Sequence, residues 1–356
     1  MSGAGGKRLY PAPAVAGWLA RAFGACGLVA DDAALAARVL VRTNARGVET
    51  HGVSRALVYV QKLQSGELNP RPDVRFEERH GVLHCHADSG LGQVVGTRAM
   101  QRAVERARGE AFVPMVLHDI GHLAALGMFT LQAAEAGMLA FLAQSAPPMM
   151  ALAGSRGAAI GNNPLAFASP VPDGAPLVFD IAASGVARGN VLAAAREGRA
   201  IPDGWAIDAE GRPTTDAAAA LAGAMLPMAG HKGIGLAMMV ECLAGSLTGA
   251  TPESVTGASP GSAPARVGAF AFVANPQLIA GTQAYEAHMG AWLARYLEAS
   301  GAAGRYPGQR AASLEAERAR DGIPLPVAVV AELTRVGELT GVPFDPKPAP
   351  QDSATA

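Results

Sequence analysis

The sequence predicts a mixed α/β (α+β) protein with a central sheet domain and a helical lobe built from both ends of the chain. Short apolar runs typical of strands alternate with helical patterns through the middle of the chain. Both ends carry helical patterns instead. The length of 356 residues suits two or three lobes better than one small core.

We expect four segments along the chain. Residues 1–75 form an N-terminal helical segment, and residues 76–275 form the central sheet domain with inserted helices. Residues 276–343 form a C-terminal helical segment that packs with the N-terminal lobe. A tail of residues 344–356, rich in proline and small polar residues, is expected to be disordered. A pair of prolines marks the first boundary as a linker.

The overall composition narrows the class of protein. Half of the residues are hydrophobic, 17% are charged and the net charge is −1. This balance gives no basic field for nucleic acid or for an anionic membrane surface. We find neither a membrane-spanning run nor a signal peptide in the pattern. The three cysteines are few, odd in number and far apart, which favours reduced thiols and a cytoplasmic protein.

A glycine-rich turn resembles a dinucleotide-binding fingerprint. Gly90, Gly92 and Gly96 follow a predicted strand and open a predicted helix. Such a turn could place a pyrophosphate on the helix N-terminus, or could simply pack a helix tightly against a sheet. The fingerprint also needs an acidic residue at the end of the next strand, and Asp119 comes too late for that role. We therefore favour the packing interpretation.

Histidine spacing raises the hypothesis of a metal site. His118 and His122 are four residues apart, which on a helix would allow both to bind zinc. Gly121 and the strand-like residues before His118 argue against a helix there, and Asp119 is the available third ligand. We favour ordinary packing or surface histidines and predict no metal.

Three residues at the start of a predicted helix combine the groups that a keto acid reduction needs. Thr50, His51 and Arg55 lie within six residues. An imidazole can give a proton to a ketone oxygen near neutral pH. A guanidinium matches a carboxylate as a two-pronged fork. The alternative is a helix cap at Thr50 with a chance histidine and arginine.

Two further positions fit the same chemistry. Asp180 ends an apolar strand, where a carboxylate could orient a histidine or could cap the next helix. Lys232 lies between glycines at a helix start, where backbone N–H groups and a lysine can hold a phosphate. The alternative for Lys232 is a solvated lysine at a turn.

Together, the motifs resemble the malate/L-lactate dehydrogenase family of the second type. The matching stretches occur in order over residues 10–343: GVETHGVSR, DSGLGQ, GHLAALG, QSAPP, GNNPLAF, FDIAAS, GHKGIGL, LTGA, YPGQR and DGIPLP. The family also holds ureidoglycolate, sulfolactate and diketogulonate oxidoreductases and reductases of cyclic imines. The resemblance implies a non-Rossmann, largely antiparallel sheet domain that binds NAD or NADP. It also implies a homodimer that acts on a small carboxylate substrate.

The resemblance also implies roles for single residues. It implies catalytic roles for Thr50, His51, Arg55 and Asp180, and for His122, which some members use as a proton acceptor. It implies cofactor contacts for a second set: His122, Ser145, Asp180, Ile181, Ala182 and Lys232. Thr50 stands where serine is usual and Asn190 where lysine is usual, so the pocket edge has changed.

The functional prediction is hydride transfer between a nicotinamide cofactor and a small 2-hydroxy or 2-keto acid. The first alternative is an NADPH-dependent reductase of cyclic 2-imino acids of the piperideine or pyrroline type. Two further alternatives are a metal-dependent hydrolase or lyase built on His118 and His122, and a non-catalytic relative that only binds nucleotide.

Overall fold

A seven-stranded sheet forms the centre of the molecule. The computed structural model describes residues 6–155, 157–251 and 267–349. The strand order in the sheet is β2 (Arg75–Arg79), β3 (Val82–His86), β4 (Phe112–His118), β11 (Ala269–Ala274), β5 (Leu139–Gln144), β6 (Leu165–Ser169) and β7 (Leu177–Ile181).

The strand directions confirm the predicted fold class. All neighbouring pairs in this sheet are antiparallel except β3 and β4. A Rossmann sheet is parallel, with a crossover helix between neighbouring strands. Here β11 comes from late in the chain and lies between β4 and β5, pairing Phe270 with Val116 on one side and with Ala143 on the other.

Helices cover both faces of the sheet. On one face lie α4 (Gly92–Ala107) and α5 (Gly127–Glu135), and their side chains share an apolar core with the strands. On the other face lie α8 (His231–Val240) and the π-helical turn Glu241–Ser246, which pack on the sheet through Val240. Because the sheet is covered on both faces, the ends of its strands are held rigidly. Site residues are expected at these strand ends and in the loops that follow them.

A helical lobe is built from both ends of the chain, as predicted. It contains α1 (Ala12–Ala25), α2 (Ala30–Ala45), α3 (Ala56–Gln64), α11 (Gln309–Asp321) and α12 (Val327–Thr340). Strand β1 (Arg8–Tyr10) pairs with β12 (Ile323–Leu325) and joins the two ends of the chain.

The lobe has its own apolar core and ion pairs that join the two ends of the chain. Trp18, Phe23 and Leu40 are fully buried in the core. Glu315 on α11 binds Arg42 on α2 and Arg46, the residue that follows α2. The N-terminal and C-terminal helices are therefore fixed to each other by both apolar and charged contacts.

A small subdomain lies between β7 and α8. It contains α6 (Arg188–Arg196), β8 (Ala206–Ile207), β9 (Pro213–Thr214), α7 (Ala217–Ala222) and β10 (Ala224–Met225). Its three short strands pair antiparallel in the order β10, β8, β9.

Two helices that we expected in the helical lobe lie against the sheet. These are α9 (Pro276–Ala280) and α10 (Thr282–Ser300). Met289 and Leu293 of α10 pack with Tyr306 and with Leu177 of the edge strand β7. The apolar side of α10 thus covers the strand edge, whereas α11 and α12 contact the lobe. The segment boundaries themselves stay a prediction.

The expected disordered tail is wrong for its first residues. Phe344 packs edge-on against Trp18 at 4.8 Å between ring centroids, and Asp345 binds Arg21. The amide of Ala349 donates to the carbonyl of Leu9 over 2.7 Å. These contacts hold the first residues of the tail against the lobe. Residues 350–356 lie outside the described residues.

Within the described ranges, the helices are too short or too polar to cross a membrane.

Candidate active site

The segment that carries Thr50, His51 and Arg55, the residues predicted to act on a keto acid, consists of two short turns. Glu49–His51 and Val53–Arg55 are 3₁₀ turns, and Gly52 separates them. A side chain at position 52 would collide with Asn44 Oδ1, so only glycine fits there. Asn44 Oδ1 also accepts the Val53 amide. The cluster therefore lies just before α3, which begins at Ala56, and His51 and Arg55 come close to each other.

Thr50, His51 and Arg55 are linked by short contacts. Thr50 Oγ1 lies 3.0 Å from His51 Nδ1. Arg55 Nε donates to the carbonyl of Thr50 over 2.7 Å. This bond uses the inner nitrogen of Arg55 and leaves its two terminal nitrogens for another partner. One of them lies 3.9 Å from the position of a Cβ at Gly189, so the fork points toward the start of α6.

His122 lies beside His51 and is held from behind. The two ring centroids are 6.1 Å apart. His122 Nδ1 is 3.0 Å from the hydroxyl of Tyr59, and the amide nitrogen of Gln93 is 3.1 Å from the same hydroxyl. Tyr59 and Gln93 are almost fully buried, while His122 keeps an open edge. The ring thus has a fixed orientation, and its exposed side lies next to His51 and Arg55; we call the surface between these three residues the cleft.

Asp180 binds the far end of the segment that follows His122. It sits near the end of β7, and its Oδ2 accepts the backbone N–H of Gly127 over 2.8 Å. Gly127 is the first residue of α5, so the carboxylate lies at the positive end of a helix. The segment between His122 and Gly127 therefore connects the histidine side of the cleft to the carboxylate side.

The surrounding protein shifts the protonation of these groups. Burial, and then the charge of Arg55, lower the pKa of His51 to about 4. Burial, and then His51 and Arg55, lower the pKa of His122 to about 3. Burial raises the pKa of Asp180 to about 6, although the Gly127 amide opposes this shift. Both imidazoles are therefore neutral at pH 7 in the free protein.

If Asp180 oriented His51, the two side chains would have to be in contact. The structure does not show this contact. Within the described ranges, no hydrogen bond or ion pair joins the two side chains. The pKa of His51 is lowered by burial and Arg55, whereas a carboxylate partner would raise it. The carboxylate of Asp180 accepts the N–H of Gly127 at the start of α5 instead.

Most of the residues expected to contact the cofactor meet along one edge of the sheet. Ile181 and Ala182 continue from Asp180, and the next residue, Ala183, bonds to the backbone of Met228 just before α8. A Cβ at Gly233 would lie 2.8 Å from the carbonyl of Ala183, so this glycine lets α8 approach the strand end. Lys232 in the same turn is exposed. The structure thus brings these positions together.

Ser145 lies nearby but is turned inward. It follows the last residue of β5, is 4% exposed, and its hydroxyl shares weak bonds of 3.4 Å with the backbone of Gly268. Gln144, the preceding residue, accepts the amide of Leu123 and donates to the carbonyl of Gly121. This part of the strand positions the His122 loop.

The glycine-rich turn serves packing, as favoured from the sequence. A Cβ at Gly92 would collide with the carbonyl of His122, and one at Gly96 would collide with Leu123 and Phe129. A Cβ at Gly90 would meet Val95 and Pro72. The space that a pyrophosphate would need at this helix start is filled by the chain itself.

The two histidines of the metal hypothesis point to different partners. His118 stacks on His86 and lies 3.0 Å from His84, while His122 contacts Tyr59. Within the ranges that the structure describes, no group of three histidine, cysteine, aspartate or glutamate residues has metal-binding geometry. The hypothesis of a hydrolase or lyase built on this pair therefore has no geometric support.

Two residues of the site were not assigned roles from the sequence. Gln93 ends the matched stretch DSGLGQ and Tyr59 follows GVETHGVSR by four residues, but their contacts with His122 join parts of the chain that are 29 and 63 residues apart. Pattern and spacing within one element give no signal for such contacts. A polar residue on the buried side of a helix, as Gln93 is on α4, was the available hint.

Comparison with known proteins gives consistent matches over most of the chain. A family model described as malate/L-lactate dehydrogenase matches residues 11–334. The chain is 36% identical over 312 residues to a (2R)-3-sulfolactate dehydrogenase (NADP(+)) of Chromohalobacter salexigens, covering 87% of this chain and 92% of that protein. It is 35% identical to a Delta(1)-pyrroline-2-carboxylate/Delta(1)-piperideine-2-carboxylate reductase of Pseudomonas aeruginosa, covering 80% and 86% of the two chains.

A solved structure gives the same result for the fold. The delta1-piperideine-2-carboxylate reductase of Pseudomonas syringae superposes with a TM-score of 0.83 and 30% identity, covering 93% of this chain and 99% of that one. Sequence, sheet topology and matched length thus agree, and the chain belongs to the malate/L-lactate dehydrogenase family of NAD(P)-dependent oxidoreductases.

Proposed function

We propose that this protein transfers a hydride between NAD or NADP and a small 2-hydroxy or 2-keto acid. One observation carries the proposal: the terminal nitrogens of Arg55 and the two imidazoles of His51 and His122 meet in one cleft. A guanidinium end binds a carboxylate in two places, and an imidazole can exchange the proton of the neighbouring oxygen. The sulfolactate dehydrogenase relative acts on a substrate of this class.

The residues present fit a nicotinamide dinucleotide. Lys232 is exposed in the first turn of α8, a helix of ten residues, so its charged side chain can bind a phosphate. Asp180, Ile181 and Ala182 lie between this helix start and the His122 loop. When bound, the nicotinamide supplies or accepts the hydride.

In the proposed reduction, Arg55 fixes the carboxylate of the substrate and thereby orients its carbonyl group. His51, with Nδ1 held by Thr50, gives a proton to the carbonyl oxygen as the hydride reaches carbon. Because both imidazoles are neutral in the free protein at pH 7, His51 must gain its proton in the complex. A bound carboxylate that neutralises Arg55 removes one cause of the lowered pKa.

The same observation favours a second candidate, reduction of a cyclic 2-imino acid. A protonated cyclic imine brings its own proton and becomes an amine when it receives hydride, so it needs no acid from the protein. Two neutral imidazoles beside an arginine suit such a substrate. The pyrroline and piperideine carboxylate reductase relatives act on this class.

A substrate screen tests both candidates. NADH and NADPH oxidation is followed with a panel of 2-keto acids and cyclic 2-imino acids, each with the wild type and with His51→Ala. We expect keto acid reduction to require His51, and imine reduction to survive its loss. Cofactor binding without turnover on either panel would overturn the proposal and favour a protein that only binds nucleotide.

We further propose a homodimer in the cytoplasm. Met238, Met239 and Leu247 are large, apolar and 40% to 62% exposed on α8 and the turn after it, a surface typical of a subunit interface. The three cysteines are free thiols, which supports the proposed location in the reducing cytoplasm. Light scattering after gel filtration tests the dimer, and Met238→Glu combined with Met239→Glu should yield monomer. A monomeric wild type would contradict it.

A further inference from the structure

A buried chain of hydrogen bonds leads from α4 to His122. It runs from the amide of Gln93 to the hydroxyl of Tyr59 over 3.1 Å, and from that hydroxyl to His122 Nδ1 over 3.0 Å. Gln93 is 0% exposed and Tyr59 is 1% exposed. The direction of each bond decides which nitrogen of His122 carries the proton.

The direction of the first bond is fixed by two backbone carbonyls. The amide nitrogen of Gln93 also lies 3.4 Å from the carbonyl of His122 and 3.3 Å from that of Leu123. Carbonyl oxygens only accept, so the NH₂ group of Gln93 must face them. A flipped amide would set its oxygen against both carbonyls. The side chain of Gln93 therefore donates to Tyr59.

The direction of the second bond follows from the first. The Tyr59 hydroxyl accepts from Gln93, and it has one hydrogen left to donate. His122 Nδ1 is the acceptor available to it in the part of the chain that the structure describes. If His122 donated instead, the buried hydroxyl hydrogen would be left without a partner, which is costly. Nδ1 is therefore the acceptor, and a neutral His122 carries its hydrogen on Nε2.

The burial of Gln93 argues for more than a packing role. Its side-chain oxygen is buried and has no hydrogen-bond partner among the described residues. An apolar side chain of similar size would fill the same space without leaving an acceptor unsatisfied. The amide nitrogen, which reaches three acceptors, is the part that contributes.

We propose that Gln93 is a positioning residue that acts through Tyr59 to hold His122 in the Nε2–H tautomer, so that His122 presents a hydrogen-bond donor to the substrate. The inference rests on the proposed hydride transfer. Burial raises the pKa of Tyr59 to about 12, so the hydroxyl keeps its proton while it links Gln93 to His122.

The consequence is a division of labour between the two histidines. In oxidation of a 2-hydroxy acid, the C–H bond breaks and its electron pair leaves as hydride to the NAD(P)⁺ oxidant. The O–H proton must go to a nitrogen with a free electron pair. Neutral His122 offers the cleft an N–H, and its free pair on Nδ1 is covered by Tyr59. The proton therefore goes to His51, and the bond between carbon and oxygen becomes a carbonyl.

The tautomer can be measured without turnover. Full-length protein labelled with ¹⁵N-histidine gives two-bond proton–nitrogen correlations that distinguish the tautomers, and His122→Gln assigns the signals. We expect Nε2–H for wild-type His122 at pH 7. Gln93→Glu replaces the donor by an acceptor, so Tyr59 should donate to residue 93 and His122 should change to Nδ1–H. Tyr59→Phe should give a mixture of both forms.

A matched control lies one turn further along α4. Thr97 bonds to the backbone carbonyl of Gln93 but does not touch the chain to His122. Thr97→Val should keep the wild-type tautomer and kcat. Tyr59→Phe should lower kcat about tenfold, the effect of one hydrogen bond, with cofactor affinity unchanged.

Several outcomes would overturn the inference. Wild-type His122 in the Nδ1–H form contradicts it directly, and so does an unchanged tautomer in Tyr59→Phe. If Gln93→Glu does not fold, Tyr59→Phe still decides, because it keeps the buried ring. An inactive wild type with the expected tautomer would instead count against the proposed function and leave this inference standing.

Discussion

The molecule holds two groups of histidines that look alike in sequence and differ in what surrounds them. His51 and His122 form the pair in the cleft. His84, His86 and His118 form a trio on one side of β3 and β4. Both groups bring imidazole rings close together, with centroids 6.1 Å apart in the pair and 4.8 Å and 5.2 Å apart in the trio.

In the trio, the ring nitrogens are largely used by neighbours. His84 Nδ1 and His118 Nε2 share a contact of 3.0 Å, and His118 Nδ1 donates to the carbonyl of Thr248 over 2.7 Å. His86 Nε2 lies 2.6 Å from a carboxylate oxygen of Glu77. Rings satisfied in this way stabilise the sheet surface and have little capacity left for a substrate.

In the pair, each ring is bound on one nitrogen by a hydroxyl and faces the cleft with the rest. Thr50 holds His51, Tyr59 holds His122, and Arg55 lies beside both. An imidazole is therefore a candidate for catalysis when one of its nitrogens is held by a neighbour and the other is free, next to a group that can bind substrate.

The largest expected effect separates the two groups directly. His51→Ala should lower kcat for keto acid reduction by about 100- to 10,000-fold, the usual contribution of a general acid. His118→Ala, from the trio, should leave kcat near the wild-type value. Steady-state kinetics at saturating cofactor measures both. If His51→Ala keeps near-normal turnover and His122→Ala abolishes it with cofactor still bound, the acid is His122.

The next effect concerns the arginine beside the pair. Arg55→Lys should raise KM for a carboxylate substrate by about 10- to 100-fold, because a lysine is a point donor and cannot bind both oxygens as a fork. Arg79→Lys is the matched control, since Arg79 lies beside the trio and pairs with Glu77. Equal KM values for the two variants would remove Arg55 from the substrate site.

A smaller effect is expected at the start of α8. Lys232→Ala should raise the Kd for NADH or NADPH about tenfold, as expected for the loss of one charged hydrogen bond to a phosphate. Fluorescence titration measures it, and Lys347→Ala is the control because Lys347 is also exposed but lies in the C-terminal tail. An unaltered Kd in Lys232→Ala would make it a solvated surface lysine.

How much of the site was predictable depends on sequence distance. Thr50, His51 and Arg55 lie in one short segment, so their spacing was enough to predict that they meet, although they lie on two 3₁₀ turns. Tyr59 and Gln93 reach His122 through the packing of α3 and α4 against the β4–α5 loop, which no local pattern encodes.

The fold shows the same limit. Alternating patterns predict the mixed class, but they do not predict that β11 inserts between β4 and β5, because strand neighbours are chosen by packing over long distances. The docked tail is another case. A segment rich in proline has the composition of a disordered chain, and the contact of Phe344 with Trp18 becomes visible only in the folded lobe.

The smallest expected effect is on stability. It tests whether the site that holds His51 and His122 also buries the carboxylate of Asp180. Burial raises the pKa of Asp180 from 3.8 to about 6, so ionising this group costs more in the folded chain than in the unfolded one. Its contribution is fully present below pH 3.8 and is lost as pH rises through about 6. Asp180→Asn keeps an acceptor for Gly127 but cannot ionise.

Without cofactor, Asp180→Asn should therefore match the wild-type Tm near pH 4 and exceed it at pH 8. The gain should be roughly one or two degrees, since the open edge of the carboxylate is solvated. Asp208→Asn should show the opposite sign. Hydrogen bonds from Arg212 lower the pKa of the half-buried Asp208, so its ionised form stabilises the folded chain at pH 8. Thermal melts of the three proteins at both pH values measure this difference. Curves for Asp180→Asn that run parallel to the wild type would mean that the cleft leaves this carboxylate as well solvated as a surface group.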